Sequence, residues 1–425
     1  MPQQKDSSNL ADAIESITVG IGSGESKVKF YDIDGTVLHE YTEEKAAELT
    51  ALPALPAHDG LDAISWSWTL QDIQSELNVN HGNIAVGCFF KTSDGKTKLH
   101  ICLEDSDTFS FVMIQSGENQ AEIDWGDGSS PETLSVVYST GNNRKGYIAT
   151  HQYAPSSYPA EYIINISLIG DGWYGFGSNN YSNLSICNGN RKYGKMIRRI
   201  YLAENVSVDG AAFCSAAGAE IITYTNAQAY GTKEKFKYCS GLKFSVIRGE
   251  AGISCFDGCY SLKAVSFCKG IISVDNYAFQ NCYELENCLS LSACQEVGSY
   301  SFYACASIHG GVALPACGSI AQSAFLDCYG ISSIAFSSQM SYLYREILKC
   351  QNNSSSLLEV DLTSFRDPDS LPYLEYPVTD IFETVNRYGR KVKYYVADAT
   401  MKAAFSNATN WSSGGDNYVV KEASS

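Results

Sequence analysis

The chain has 425 residues, too many for one ordinary domain, so it divides into several units. Its formal net charge of −17, from 30 Lys and Arg against 47 Asp and Glu, argues against wrapping a nucleic-acid backbone, which needs clustered cations. No run of about 18 consecutive apolar residues is present to span a membrane.

Two compositional excesses stand out, 28 Tyr and 15 Cys. Twelve of the cysteines lie between residues 214 and 350, which points to one local structural cause rather than a dispersed disulfide framework. The first twenty residues hold no apolar core of signal-peptide length and the last ten no lipid-attachment box. The expectation is a protein made and kept in reducing cytoplasm until it is released.

In chain order, residues 1–24 are polar with a short apolar stripe (Leu10, Ile14, Ile17) before "GIGSG", and read as a tether or attachment segment. Residues 25–82 open on "VKFYDIDGTVLHEY". The string Asp32-Ile33-Asp34-Gly35-Thr36 matches the loop of haloacid-dehalogenase-type phosphatases. An alternating run follows it at once, however, and no later acidic pair comes after an apolar strand. Asp34-Gly35 between two strand-like runs is a hairpin signal. The module resembles the small β-grasp-like modules of gut Firmicute surface proteins and their phages, similar to Listeria–Bacteroides repeats. Ser65-Trp66 stand where that pattern has glycine and tryptophan. Trp66 and Trp68 read as core residues.

Residues 83–172 alternate apolar and polar, with turn signals at Ser93-Asp94-Gly95 and Asp127-Gly128, the pattern of an antiparallel sandwich. "IDWGDGSSPET", then "HQY" at 151–153, then "YIINISLI", resemble the PKD-type immunoglobulin-like domain. Asp124 and Asp127 are the candidate Ca²⁺ ligands, though turn stabilisation accounts for them without a cage of six to eight oxygens. "GDGWYG" satisfies G-x-G-x-x-G, but loop-like sequence follows where a dinucleotide site needs a helix. Residues 173–195 therefore read as linker and solenoid N-cap.

The strongest signal is an internal repeat over residues 196–397. A column of Phe213, Phe236, Phe256, Phe279, Phe302 and Phe325, ending in Ile347, recurs at steps of 23, 20, 23, 23, 23 and 22 residues. Three positions on stand Ala216, Cys239, Cys259, Cys282, Cys305, Cys328 and Cys350. Val265, Cys288 and Ile334 form a further column, with Gly311 as its exception; Val274, Val297, Ile320 and Leu343 form another. Fixed apolar columns at a period near 23 imply a solenoid whose units bury their faces only by stacking. The motif "AFxxC" with its flanking aliphatics resembles the BspA-like leucine-rich repeat. "YYVADATMKAAFSNATNWSS" is similar to that family's closing segment, so Asp398–Asn407 reads as a capping helix within a cap and tail, 398–425. The column thiols are expected to be small buried hydrophobes, not metal ligands or disulfides.

The fold class expected is therefore multidomain and mainly β: a small β-grasp-like module, an immunoglobulin-like β-sandwich, then a leucine-rich-repeat solenoid with a capping helix. No nucleophile–base pair, zinc signature or phosphate loop is apparent, and the six histidines are dispersed. The expectation is a non-enzyme with no cofactor and no metal. Its outward strand-face row reads Lys243, Lys263, Glu286, His309 and Ser332, flanked by Tyr260, Tyr283 and Tyr329, each one residue after a column cysteine. That row is thin in charge and suits a neutral or mixed polar ligand, such as a host-surface glycan or protein. The resemblances imply a phage virion protein that recognises the host surface, with a bacterial cell-surface adhesin as the alternative and a purely structural virion part as a third reading. The N-terminal segment would contact other virion proteins, and homo-oligomerisation is compatible with this.

Overall fold

The computed structural model describes residues 27–80, 83–116, 120–133, 138–139, 144–170, 174–177, 185–187, 190–204, 206–223, 225, 233–268, 270–286, 289–349, 357–382 and 391–421. The readings of residues 1–24, Cys288 and Cys350 lie outside these. The protein is mainly β, with several sheets and a few short helices.

Strands β1 (Val28–Tyr31) and β2 (Val37–Tyr41) pair antiparallel around Asp34-Gly35. Gly35 sits at φ +84°, where a Cβ is costly, and Asp34 Oδ1 accepts from Thr36 N at 2.9 Å to close the turn. Asp32 Oδ1 lies 2.6 Å from His58 Nε2, so both aspartates of the D-x-D-G-T string serve local structure. After helix α1 (Glu43–Ala47), β3 (Leu61–Trp66), helix α2 (Leu70–Asn80) and β4 (Ile84–Thr92) complete a mixed sheet of order β2-β1-β4-β3, with β1 and β4 parallel. Phe30, Trp66, Trp68, Ile73, Leu77 and Phe90 form its own core. The fourth strand comes from beyond residue 82, where the sequence reading ends this module. Its near-continuous burial shows why: β4 is covered on both faces.

Strands β5 (Thr97–Leu103), β6 (Thr108–Ser116), β7 (Gln120–Asp124), β8 (Glu132–Thr133), β9 (Tyr138–Ser139), β10 (Arg144–Gln152) and β11 (Ala160–Ile169) follow. Next come β12 (Tyr174–Phe176), helix α3 (Arg191–Met196), β13 (Ile197–Tyr201), β14 (Val206–Val208) and β15 (Ile221–Ile222). They form two sheets, β15-β13-β5-β11-β7-β8 and β14-β12-β6-β10-β9, over one shared apolar core. The first strands of the repeat region belong to these sheets: β13 pairs antiparallel with β5, and β14 and β15 then add in parallel on β12 and β13. Residues 173–195 are thus not a plain linker: Tyr174–Phe176 is a strand and Arg191–Met196 a helix. An edge left open at residue 172 would expose unpaired backbone, and the repeats cover it.

Beyond, successive repeats supply one short strand each to parallel sheets. A narrow one stacks Val274, Val297, Ile320, Leu343 and Leu374 in register. A wider one runs through His309–Leu314, Gly330–Phe336, Leu358–Asp361, Val392–Val396 and Tyr418–Val420. Val312, not Gly311, pairs with Ile334; the ladder shifts register between Gly310 and Gly311, where the partner strand passes over Ser332. The helix Ala399–Asn407 is N-capped by Asp398, whose Oδ1 accepts from Met401 N at 2.9 Å. It is not the last element: Tyr418–Val420, in the stretch read as tail, adds the edge strand of the wider sheet.

Candidate functional site

The repeat interior is built by repetition. Rings of Phe213, Phe236, Phe256, Phe279, Phe302 and Phe325 stack at centroid spacings of 5.6, 5.1, 5.3, 5.2 and 5.0 Å. That is close to the ~4.8 Å between paired strands, so the backbone spacing sets the ring spacing. The rung after Phe325 is Leu348, not Ile347: Phe302 N donates to Ala324 O and Phe325 N to Ile347 O, which puts Ile347 one place before the column. The last step is therefore 23 residues, and Cys350 stands one position off the thiol spacing.

Cysteine is chosen in the next column for its weak donor. The thiols of Cys239, Cys259, Cys282, Cys305 and Cys328 donate to the carbonyls of Phe213, Phe236, Phe256, Phe279 and Phe302 at 3.0, 3.0, 3.2, 3.1 and 2.9 Å. All five are fully buried. Burial pushes the thiols of Cys239, Cys259, Cys282 and Cys305 up, away from the reactive thiolate. The residue before each column position lies at positive φ: Ser215, Tyr238, Gly258, Asn281, Ala304 and Asp327. Five of these six are not glycine, a cost of about 1 kcal/mol each that the ladder of inter-repeat bonds overcomes.

The outward residues divide into a covered and an open part. Phe244 and Val246, with Ala264 and Ser266 of the next repeat, face the N-terminal module. Tyr31 stacks on Phe244 at 5.0 Å, and Ser266 Oγ donates to Ala85 O and meets Ser67 Oγ, both at 2.7 Å. A Cβ at Gly87 would lie 2.7 Å from Phe244 Cζ, so glycine permits the approach. Glu76 of α2 takes hydrogen bonds from Ser290 and Ser292. The first strands are therefore buried on both sides by the chain itself. The sequence reading missed this because Phe244 and Val246 carry no periodic mark.

Of the row read as ligand face, Lys243, Lys263 and Glu286 are aligned, Lys263 N donating to Lys243 O and Glu286 N to Lys263 O at 2.9 Å each. Lys243 adjoins the Asp34-Gly35 turn and lies 3.9 Å from Glu220. His309 is exposed but pairs with Gly330, two places before Ser332, which the register shift passes over. Tyr260 and Tyr283 are stacked at 5.3 Å and 9°, each nearly half exposed. Tyr329 is exposed as well; in the repeat between, Ala306 takes the tyrosine's place.

A second exposed tyrosine group escaped the column reading. Tyr277 stacks on Tyr300 at 5.6 Å, and Tyr342 contacts Tyr344 at 4.3 Å and Tyr373 at 5.1 Å. Tyr373 is 60% exposed. Only strand pairing brings Tyr342 and Tyr373 together, because the insertion between them breaks the period.

In the sandwich, Asp124 Oδ1 accepts from Gly126 N at 3.0 Å, and Asp127 Oδ1 accepts from Ser129 N and Oγ at 3.0 and 2.6 Å. Asp127 Oδ2 is 2.7 Å from His151 Nε2, and His151 stacks on Trp125 at 4.8 Å. Hydrogen bonds from Ser129 and His151 outweigh desolvation and hold Asp127 down at about 2. Both aspartates are thus engaged by turn and histidine. Among the described residues, no three His, Cys, Asp or Glu side chains converge as a metal site.

No curated protein and no solved structure matches the chain. Residues 232–355 match, in six copies, the family model for the BspA type leucine rich repeat region, and to that family this part of the chain is similar.

Proposed function

We propose that this is a non-enzymatic recognition protein that adheres to a cell surface through its repeats, which we read as a leucine-rich-repeat solenoid on an immunoglobulin-like, PKD-type sandwich. The observation that carries the reading is the open tyrosine ladder. Tyr260 and Tyr283 are held parallel and exposed by repeats whose inner columns are fully buried, a rigid, repeated aromatic surface with hydroxyl edges. Similarity of the repeats to the BspA type supports the same reading. The N-terminal module covers the first strands, so the partner, a surface glycan or protein, meets the tyrosine side and the later repeats.

The carrier in this proposal is a phage particle, with the bacterial surface as the alternative. The likeness of Ser7–Ile17 to the opening of phage structural proteins favours it. Labelled full-length protein should bind host cells, and Tyr260→Ala with Tyr283→Ala should weaken binding on the order of tenfold. Unchanged binding would remove the tyrosines from the interface. Detection in purified particles, against bacterial envelopes alone, decides the carrier. A fragment starting near residue 175 is a poor probe, because that cut separates β12 from β6 and β13 from β5, one pairing in each sandwich sheet.

A further inference from the structure

A cavity of about 430 Å³ opens where the end of β5 meets α3. This lies within the ~300–1,000 Å³ of small-molecule pockets. Its floor is the buried pair Cys102 and Met196, and its rim carries Arg191, Lys192 and Lys195. Among the described residues none of these three cations has a carboxylate within ion-pair distance. Of the two rim acids, Glu104 is occupied by Arg198 at 2.6 Å, which leaves Asp105 against three positive charges in a chain of net charge −17. The wall is rigid. Arg198 Nη1 donates to Lys195 O at 2.9 Å, the Arg191 guanidinium lies 5.1 Å from the Tyr238 ring centre, and Gly194 packs α3 directly on Ser215.

We infer that this cavity binds a sugar-sized organic anion, its carboxylate or phosphate held by Lys192 and Lys195 and its carbon skeleton resting on Cys102 and Met196. Charge complementarity selects the anion, since local positive potential stands out most in an otherwise acidic protein. The apolar floor selects a ligand with carbon to bury over a bare ion.

The test is calorimetric titration of the full chain with glucuronate, glucose 6-phosphate, glucose and inorganic phosphate, at low and high ionic strength. At least one sugar acid should bind, about tenfold or more tighter than glucose, and weaken with salt; which of the two binds distinguishes carboxylate from phosphate recognition. Lys192→Glu with Lys195→Glu should lower that affinity at least about tenfold. Lys96→Glu with Lys402→Glu, the same charge change elsewhere on the surface, should leave it intact. Glucose binding as tightly as its charged relatives, inorganic phosphate matching glucose 6-phosphate, equal loss in both double variants, or no binding to any of the four would each overturn the inference.

Discussion

The repeat region and the sandwich are both β structures, yet they are held in different ways. In the repeats one contact recurs: ring on ring and thiol to carbonyl, at each step. In the sandwich the polar contacts are singular, and the Trp125–Asp127–His151 cluster occurs once. A repeated contact multiplies any perturbation of its chemistry, whereas a singular one adds a single term. The two regions also respond at opposite ends of the pH scale, because one buries neutral thiols and the other engages an ionised carboxylate.

The largest effect expected is alkaline. The thiols of Cys239, Cys259, Cys282 and Cys305 titrate well above 9.0 when folded and near it when unfolded. A folded pKa raised in this way means stability that is complete below the unfolded value and lost as pH climbs past it. At pH 10 each thiol should lose about 1.4 kcal/mol, or roughly 6 kcal/mol together. Urea unfolding monitored at pH 7 and pH 10 checks this; a flat profile would mean the thiols are not buried in solution. Below that pH they should resist alkylation in the folded protein and react after denaturation.

Next in size, Phe279→Ala removes a central rung and should cost about 3–5 kcal/mol by urea unfolding, since neighbours on both sides lose their stack. Gly87→Val places side chain against Phe244 and Val246 and should cost about 1–3 kcal/mol. Its signature is early proteolysis between the N-terminal module and the repeats, with the Phe column intact. Cleavage at wild-type rate would show that the module does not dock there.

The smallest effect belongs to the sandwich. Asp127 is held at about 2 against an ordinary 3.8. A depressed carboxylate contributes stability that is complete above the unfolded value and is lost as pH falls from about 4 towards 2. The pair is partly exposed, so Asp127→Asn should cost no more than about 1 kcal/mol at neutral pH. A larger loss would mean that the cluster does more than close a turn.

Much of the repeat interior was legible, because stacking requires the same residue type at the same phase and so writes itself into the chain as columns. The errors there were one-residue offsets: Val312 for Gly311, where the ladder shifts register, and Leu348 for Ile347, the neighbour of the regular 23-residue rung. The candidate surface was legible only where it shared the period. Tyr260, Tyr283 and Tyr329 follow the cysteines and could be found, whereas Tyr373 meets Tyr342 only through strand pairing. Its position cannot be counted from the column.

By itself the sequence determined the composition of the stacked interior and the hairpin at Asp34-Gly35, since both follow from local rules: a fixed period, and a turn that only certain residues can make. Tertiary structure alone decided that β4 completes the first sheet, that the sandwich sheets continue into the repeats, and that the N-terminal module covers the first strands. These depend on contacts between residues nearly 200 positions apart, such as Ser67 with Ser266. Such a contact needs only shape and one hydrogen bond at each end, and neither leaves a pattern along the chain.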